Sequence, residues 1–146
     1  MKSKRHYVVL VDTNFLMIPL YRRVNVFDTI EDLLGLKPRY IILSSSLREL
    51  EKIYSRKPVS KEGKAAQLGL RLVKECNIKV VEDTEIPGDT VDEKIIEYAK
   101  RVVDESMIRL IVATNDRELK KRLRILGIPV IVYRERDHRV WLEGEV

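Results

Sequence analysis

The sequence predicts an α/β protein with three layers, in which a mostly parallel five-stranded sheet is flanked by helices. Short continuous apolar runs, such as residues 7–11, alternate along the chain with longer segments whose apolar residues recur every three or four positions. This alternation is typical of parallel strands joined by crossover helices. The 146 residues, of which 45% are hydrophobic, suffice for one core but not for two, so we expect one domain over residues 1–146.

The strands are predicted from apolar runs that are bounded by polar or turn residues. Runs of this kind are typical of strands that are buried on both faces, as in parallel sheets. The five predicted strands are residues 7–11, 39–43, 78–82, 109–113 and 130–133, and a short edge strand could form over 140–142.

The helices are predicted from their periodic apolar residues and from their end signals. Gly35 and Gly127 follow two of these segments and are expected to cap them, with Pro38 and Pro129 just beyond. The predicted helices are residues 15–21, 27–34, 46–55, 61–76, 91–104 and 117–126. An irregular basic stretch, residues 55–63, connects the third and fourth predicted helices. It could be a mobile loop or a plain surface connection.

Charge narrows the class of partner. The formal net charge is +5, from 28 basic and 23 acidic residues. This balance permits a polyanionic partner such as nucleic acid, but it also fits an ordinary solvated surface. The basic residues cluster at Lys2, Lys4 and Arg5, at Arg22 and Arg23, and in the ranges 56–64, 117–124 and 134–139.

Cysteine content and hydropathy exclude further classes. The lone Cys76 excludes an internal disulfide and a zinc site built from several cysteines. No apolar run approaches the roughly 20 residues that span a bilayer. We therefore expect a cytoplasmic protein without a membrane partner.

Two carboxylates stand where predicted strands end. Asp12 directly follows the strand 7–11, and Asp116 comes shortly after the strand 109–113. In open α/β sheets, ligands bind just beyond the carboxyl ends of the strands, so the two residues would face each other if their strands are neighbours. Either carboxylate could instead cap a helix, and this alternative is stronger for Asp116, which directly precedes one.

Helical geometry places two further carboxylates. At about 100° per residue, Asp92 falls in the middle of the arc that carries the apolar residues of its helix, and Glu49 falls at the edge of such an arc. Both have local alternatives. Asp92 could simply be stabilised by the positive end of the helix dipole, beside a capping box of Thr90 and Glu93. Glu49 could form a capping box with Ser46.

These four residues, here named the acidic quartet (Asp12, Glu49, Asp92 and Asp116), could converge at one edge of the sheet. Four carboxylates in a small cleft repel one another and acquire raised pKa values unless cations join them. Mg²⁺ and Mn²⁺ match such oxygen ligands and keep several bound waters. The sequence therefore predicts a divalent metal site beside a basic surface, which suits hydrolysis of a phosphodiester.

Four segments of the chain resemble the successive motifs of PIN-domain ribonucleases. They are VVLVDTNFL, SSLRELEKI, VDEKIIEYA and IVATNDRELKKRLRILGIPVIV, and the last is the most specific. The resemblance covers residues 7–133 and is greatest to the branch that processes small-subunit ribosomal RNA in archaea and eukaryotes. It implies a PIN-like fold and Mg²⁺- or Mn²⁺-dependent endonucleolytic cleavage of RNA, which leaves 5′-phosphate and 3′-hydroxyl ends.

The resemblance also implies roles for individual residues. The acidic positions of the family match the acidic quartet, which would supply the catalytic residues and the metal ligands. Asn14 and Thr114 match neighbouring motif positions and would orient those ligands. Asp89 and Glu93 flank the third motif, where Glu93 replaces the second of two paired aspartates, and residues 134–146 have no counterpart.

An RNA-binding surface is predicted on the last long helix. Its basic residues follow i, i+3, i+4, i+7 spacing, which makes one stripe that leads away from Asp116 and suits a phosphate backbone. A solvated amphipathic face is the alternative. The predicted RNA contacts are Arg117, Lys120, Lys121 and Arg124 on this helix and Arg56 and Lys57 in the basic stretch.

The sequence leaves several functions open. The first is an endoribonuclease in ribosomal RNA maturation, with precursor ribosomal RNA and ribosome assembly factors as partners and with pairing into a homodimer, as in many PIN domains. A second is a toxin-type PIN ribonuclease with a paired inhibitor. A third is a catalytically weak RNA-binding assembly module, against which the intact acidic quartet argues.

Overall fold

The computed structural model describes residues 6–104 and 107–145, and these contain a six-stranded sheet. The strands are β1 His6–Val11, β2 Arg39–Leu43, β3 Lys79–Val81, β4 Ile108–Ala113, β5 Val130–Arg134 and β6 Arg139–Glu143. Their order across the sheet is β3-β2-β1-β4-β5-β6, with β1 to β5 parallel and β6 antiparallel to β5. The predicted α/β class is confirmed. The predicted basic cluster at Lys2, Lys4 and Arg5 lies outside the described residues.

The edge strand that the sequence left open forms as β6, so the sheet has six strands and not the predicted five. A 3-10 turn over Glu135–Asp137 joins it to β5, and His138 ends this turn with a φ of 52°. Trp141 lies opposite Val132 in the resulting hairpin. A short connection of this kind reverses the chain direction, which is why β6 is antiparallel to its neighbour.

The helices are α1 Ile18–Arg22, α2 Val26–Leu34, α3 Ser44–Arg56, α4 Lys61–Glu75, α5 Val91–Val103 and α6 Arg117–Ile125. The prediction of one continuous helix over residues 15–21 is wrong in its first half, because a 3-10 helix over Thr13–Met17 precedes the short α1. Pro19 explains the break, since it has no amide hydrogen to donate and therefore stands in the first turn of a new helix. The later helices lie within two residues of their predicted bounds. Within the described part of the chain, no helix is both long and apolar enough to cross a membrane.

Two apolar clusters lie on opposite faces of the sheet. Along β1, Val9 and Val11 belong to one cluster, while Val8 and Leu10 belong to the other. Side chains alternate across a strand in this way, and all four are buried. The first cluster includes residues of α2, α3 and α4, and the second includes residues of α5 and α6. Because β1 is central and covered on both faces, its carboxyl end is a rigid place for a functional residue.

The basic stretch between α3 and α4 forms a tight connection. The amide and the hydroxyl group of Ser60 both donate to the carbonyl oxygen of Lys57, at 3.1 Å and 2.7 Å. The same hydroxyl oxygen caps α4 by accepting from the Gly63 amide at 2.9 Å. A Cβ atom at Gly63 would collide with the backbone of Lys57. These contacts favour the plain surface connection over the mobile loop.

Candidate active site

Asp12 and Thr114 lie side by side at the carboxyl edge of the sheet. The register of β1 and β4 pairs Val11 with Ala113, so the next residue of each strand reaches the same edge. Asp12 is 4% exposed, and both of its carboxylate oxygens accept hydrogen bonds. Oδ2 accepts from the Thr114 hydroxyl group at 2.7 Å, and Oδ1 accepts from the Thr13 amide at 2.8 Å. The buried carboxylate is therefore held in one orientation.

The same hydroxyl group links Asp12 to Asp116. Thr114 Oγ1, which donates to Asp12, accepts a hydrogen bond from the Asp116 amide at 3.1 Å. Asp116 also caps α6, since its Oδ1 accepts from the Leu119 amide at 2.9 Å. The capping alternative thus describes one of the two oxygens of Asp116. Oδ2 accepts no hydrogen bond from the described residues and is left available to a ligand.

Asn115, which the sequence patterns did not single out, fixes the turn between Thr114 and Asp116. Its side chain bonds twice to the backbone of Tyr133 in β5: Oδ1 accepts from the amide at 2.8 Å, and Nδ2 donates to the carbonyl oxygen at 3.1 Å. The side chain therefore continues the pairing between β4 and β5 by one residue. No spacing rule identifies this role, because an Asn after a strand is equally typical of a simple turn.

Asp92 lies in the first turn of α5 and is half-buried. Other residues cap this helix: Thr90 Oγ1 accepts from the Glu93 amide at 3.1 Å, and Glu93 Oε2 accepts from the Asp89 amide at 2.6 Å. The cap thus engages both residues that flank the third motif and does not use Asp92. Within residues 6–104 and 107–145, the Asp92 carboxylate accepts no hydrogen bond, so it too is available to a ligand.

Glu49 is exposed in the second turn of α3, and its predicted capping box with Ser46 is wrong. The helix begins at Ser44, which leaves Ser46 inside the first turn. The Ser46 hydroxyl group is buried and has no hydrogen-bond partner in the described part of the chain. The sequence alternative for Glu49 therefore fails, because the amides at the start of α3 are capped from elsewhere.

The capping group of α3 is Asp83, in the loop after β3. Asp83 is fully buried, and its Oδ2 accepts from the Ser45 amide at 3.1 Å. Its Oδ1 accepts from the hydroxyl groups of Ser44 and Ser45, at 2.8 Å and 2.9 Å. Burial acts to raise the pKa of Asp83, but the hydrogen bonds from Ser45 and Ser44 and the charge of Lys94 outweigh it and lower the pKa. Asp83 directly follows the predicted strand 78–82, so the strand-end signal that located Asp12 could have located it too.

The pKa of Asp12 reports its neighbours in the acidic quartet. Burial is the main cause that raises this pKa to about 6, and the hydrogen bonds from Thr114 and Thr13 oppose it. The negative charges of Asp92 and Glu49 raise the pKa further. The carboxylate that directly follows β1 is thus within electrostatic reach of carboxylates on α3 and α5.

Asp92 completes the set of charge interactions. Burial raises its pKa, and the charges of Asp116 and Glu49 add to this effect. Arg122, a residue of α6 that the sequence patterns did not select, lowers the pKa of Asp92. The fold therefore brings all four members of the acidic quartet to one edge, where each interacts with at least one other.

The quartet does not form a ready-made metal cage. Within the two described ranges, no group of three or more Asp, Glu, His or Cys side chains is placed to hold a metal ion. The predicted metal site therefore stays a prediction, and repulsion among carboxylates that no cation neutralises is a physical reason for their separation. The donor chemistry nevertheless fits a hard divalent cation, because the ligands are oxygens whose mutual repulsion an added positive charge would relieve.

The predicted orienting and RNA-binding residues differ in their surroundings. Asn14 is exposed, and its side chain makes no hydrogen bond with any described residue. On α6, Arg117, Lys121 and Arg124 are exposed, whereas Lys120 forms an ion pair with Glu143 at 3.1 Å. Arg56 and Lys57 are exposed at the far end of α3. They lie about 10 Å along the helix axis beyond Glu49, so the structure does not bring them to the acidic edge.

Comparison with known proteins identifies the family. The family model described as a PIN like domain matches residues 9–136. The chain belongs to the PIN-like domain family. The predicted resemblance to PIN-domain ribonucleases is therefore confirmed, and the match spans the strands and helices that carry the acidic quartet.

Relatives of this PIN domain are named either as ribonucleases or as rRNA-processing proteins. Ribonuclease VapC4 of Methanocaldococcus jannaschii is 38% identical over 133 residues, which are 90% of this chain and 94% of that protein. The rRNA-processing protein FCF1 of Saccharomyces cerevisiae is 31% identical over 129 residues, which are 88% of this chain but 60% of the longer yeast protein. The solved structure of the PIN domain endonuclease Utp24 superposes with a TM-score of 0.74 at 28% identity and covers 96% of this chain and 93% of that one.

Proposed function

We propose that this PIN domain is a Mg²⁺- or Mn²⁺-dependent endoribonuclease that acts in ribosomal RNA processing. The observation that carries the proposal is the convergence of the acidic quartet at the carboxyl edge of the sheet, with a pKa near 6 at the buried Asp12. Relatives named as a ribonuclease and as an rRNA-processing protein support it. Residues 1–146 would act as one nuclease domain in the cytoplasm.

Each member of the quartet has a proposed role in holding the ion. Asp12 and Asp116 would be its direct ligands, because strand ends and hydrogen bonds fix them in place. Glu49 and Asp92 would hold it through waters or bind a second ion, since they lie on helices and not at the ends of paired strands. When bound, the ion would supply a Lewis acid that neutralises phosphodiester charge and eases the ionisation of water.

Residues around the quartet would hold it in position. Thr114 keeps the Asp12 carboxylate in one orientation and joins it to the backbone of Asp116. Asn115 ties the intervening turn to β5. Tight packing at the ends of β1 and β4 excludes water from one side of the site, so the substrate would enter from the side of the exposed Glu49 and the half-buried Asp92.

The RNA backbone would lie along α6. Arg117, Lys121 and Arg124 are exposed and follow the acidic residue that starts this helix. Three such cations neutralise phosphates and release counterions, which gives affinity without base specificity. Lys120 would contribute less, because its ammonium group is already paired with Glu143. Arg56 and Lys57 would contact only a longer RNA that reaches beyond the quartet.

The test is a cleavage assay on purified variants. Asp116→Asn is the informative change, because Asn also caps helices and preserves α6 while it removes a ligand charge. We expect no cleavage of a labelled RNA by Asp116→Asn or Asp12→Asn with Mn²⁺ present, and no cleavage by the wild type with EDTA. Glu118→Gln is the matched control on the exposed first turn of α6 and should cleave normally. Persistent activity in the two aspartate variants would overturn the proposal.

Two other functions have specific support. The match to ribonuclease VapC4 over nearly its full length also fits a toxin-type ribonuclease with a paired inhibitor. The exposed basic residues of α6 also fit a catalytically weak RNA-binding assembly module. RNA crosslinking in the protein's own cells separates the roles: precursor ribosomal RNA supports processing or assembly, and its absence excludes both. An inhibitor that copurifies with the protein would favour the toxin type, whereas recovery of ribosome assembly factors would favour the ribosomal roles.

A further inference from the structure

Asp83 lies outside the acidic quartet but touches two helices that carry its members. Besides capping α3, it contacts α5: its carbonyl oxygen accepts from the Lys94 ammonium group at 3.1 Å, and that group lies 3.7 Å from Oδ1. Arg48 of α3 approaches the same oxygen at 3.5 Å. The side chain of Asp83 is 0% exposed, whereas that of Lys94 is 18% exposed. Asp83 thus joins the first turns of the two helices, contacting α3 through its carboxylate and α5 through its main-chain carbonyl oxygen and the ion pair of the carboxylate with Lys94.

This joint matters because α3 and α5 belong to opposite layers of the fold. Leu50 of α3 packs in the cluster on one face of the sheet, and Ile95 of α5 packs in the cluster on the other. Apolar packing therefore fixes each helix to the sheet but does not join their first turns to each other. Asp83 does so, at the edge where the quartet lies.

Both helices carry a member of the quartet close to the joint. Glu49 follows Ser45 by one helical turn, and Asp92 precedes Lys94 by two residues. Asp12 and Asp116, in contrast, are fixed by the ends of paired strands and by Thr114. Contacts at the strand ends thus fix Asp12 and Asp116. The positions of Glu49 and Asp92 depend instead on how α3 and α5 are held, and Asp83 supplies contacts to both helices.

We propose that Asp83 is a positioning residue that sets the placement of Glu49 and Asp92 and thereby the affinity of the acidic quartet for a divalent cation. This inference rests on the proposed function, because it assumes that the quartet binds such a cation. Residues that orient metal ligands without touching the metal typically change metal affinity by 10- to 100-fold when they are replaced. Asp83 is of this kind, since it acts through two helices.

The test replaces Asp83 with its closest neutral analogue. In Asp83→Asn one oxygen becomes an NH₂ group, which cannot accept the hydrogen bond that this oxygen receives from Ser45, and the side chain loses the negative charge that attracts Lys94. We expect Mn²⁺ binding, measured by calorimetry without RNA at a temperature where the protein is folded, to weaken by about tenfold. Amide hydrogen exchange should accelerate in the first turns of α3 and α5. RNA affinity without divalent ions should not change.

Two further variants make the result specific. Ser45→Ala removes one donor to Asp83 without disturbing the buried charge. It should weaken Mn²⁺ binding by a smaller factor than Asp83→Asn does. It serves as the main variant if Asp83→Asn does not fold. Tyr40→Phe is the control for stability, because it removes hydrogen bonds to Glu31 and Phe27 in the first core cluster, away from the quartet. It should lower stability and leave Mn²⁺ affinity unchanged.

The outcomes separate this inference from the proposed function. Weaker Mn²⁺ binding in Asp83→Asn or Ser45→Ala, but not in Tyr40→Phe, supports the positioning role. If the wild type binds Mn²⁺ and both variants bind it equally well, the inference about Asp83 is wrong and the proposed function stands. If the wild type binds no Mn²⁺, both are wrong. An equal loss in Tyr40→Phe would show a general effect of stability and would also overturn the inference.

Discussion

Thr114 and Asp12 are 102 positions apart in the chain, yet the hydroxyl group of one donates to the carboxylate of the other at 2.7 Å. The contact exists because β1 and β4 are parallel neighbours in a register that brings both residues to the same edge. The same hydroxyl oxygen accepts from the Asp116 amide. Thr114 is therefore the residue through which the two strand-end carboxylates are joined.

The first prediction concerns this hydroxyl group. Thr114→Val keeps the shape of the fully buried side chain but removes the donor to Asp12 and the acceptor for the Asp116 amide. We expect the free energy of unfolding to fall by about 1–3 kcal/mol, because buried polar groups lose their partner. RNA cleavage should fall by about 10- to 100-fold, since Asp12 is no longer oriented. Urea unfolding and a cleavage assay measure the two effects, and Thr114→Ser, which keeps the hydroxyl group, should retain most activity.

The second prediction is a pH dependence of stability without metal. The pKa of Asp12 is raised from 3.8 to about 6, mainly by burial, so the folded state binds its proton more tightly than the unfolded state does. The stabilisation is complete below the unfolded pKa and is lost as the pH rises through about 6. Asp12→Asn carries no such charge. In EDTA, it should exceed the wild type in free energy of unfolding by about 1–3 kcal/mol at pH 7.5, and this advantage should disappear near pH 4.

Urea titrations at several pH values measure this difference. Glu118→Gln, an exposed carboxylate at the start of α6, is the control and should show no comparable gain. A constant difference between Asp12→Asn and the wild type from pH 4 to 7.5 would contradict the predicted linkage.

The third prediction concerns metal addition and removal. If the quartet binds a divalent cation only in the folded state, Mn²⁺ at 100 times its dissociation constant should stabilise the protein by about 2.7 kcal/mol. EDTA should reverse the gain. Thermal unfolding with and without Mn²⁺ measures it, and Asp12→Asn should show little response. An equal response in the wild type and in that variant would place the binding of Mn²⁺ elsewhere.

The fourth prediction concerns RNA binding by α6. Lys121→Gln and Arg124→Gln should each weaken RNA affinity and reduce the slope of log K against log salt by about 1, as expected when one phosphate contact is lost. Lys120→Gln should have less effect, because this lysine is paired with Glu143. Arg39→Gln is the matched control: it is exposed at the amino end of β2, on the edge opposite the quartet. Fluorescence anisotropy in EDTA at several salt concentrations measures the four variants. Equal losses in all of them would contradict a defined surface on α6.

The strands and the positions of Asp12 and Asp116 could be predicted because their signals are local. An apolar run that ends in a carboxylate marks both the strand and the edge that it reaches. Pairing at a distance has no such signal. The start of α3 was misplaced because Asp83, which lies 38 positions after Ser45, caps it from another loop. The role of Asn115 depends on the neighbouring strand β5 in the same way.

The placement of Glu49 and Asp92 could be predicted only in part. Helical periodicity located both residues on their helices, but whether they form a cage depends on how two helices of different layers meet the sheet edge. The structure shows interacting charges without an assembled metal group in the described residues. Whether the four carboxylates close into a cage depends on the positive charge of a bound ion, and no sequence pattern contains that ion.

The strand β3 bounds one side of the sheet and is three residues long, beginning with Lys79. An exposed edge strand can recruit a strand from another molecule, but so short an edge offers few hydrogen bonds, and a lysine on it opposes close approach. We therefore expect that two copies of this protein do not join into one continuous sheet through β3. A homodimer that continued the sheet would therefore have to pair through the other edge strand, β6, and strand-to-strand aggregation should not start at β3.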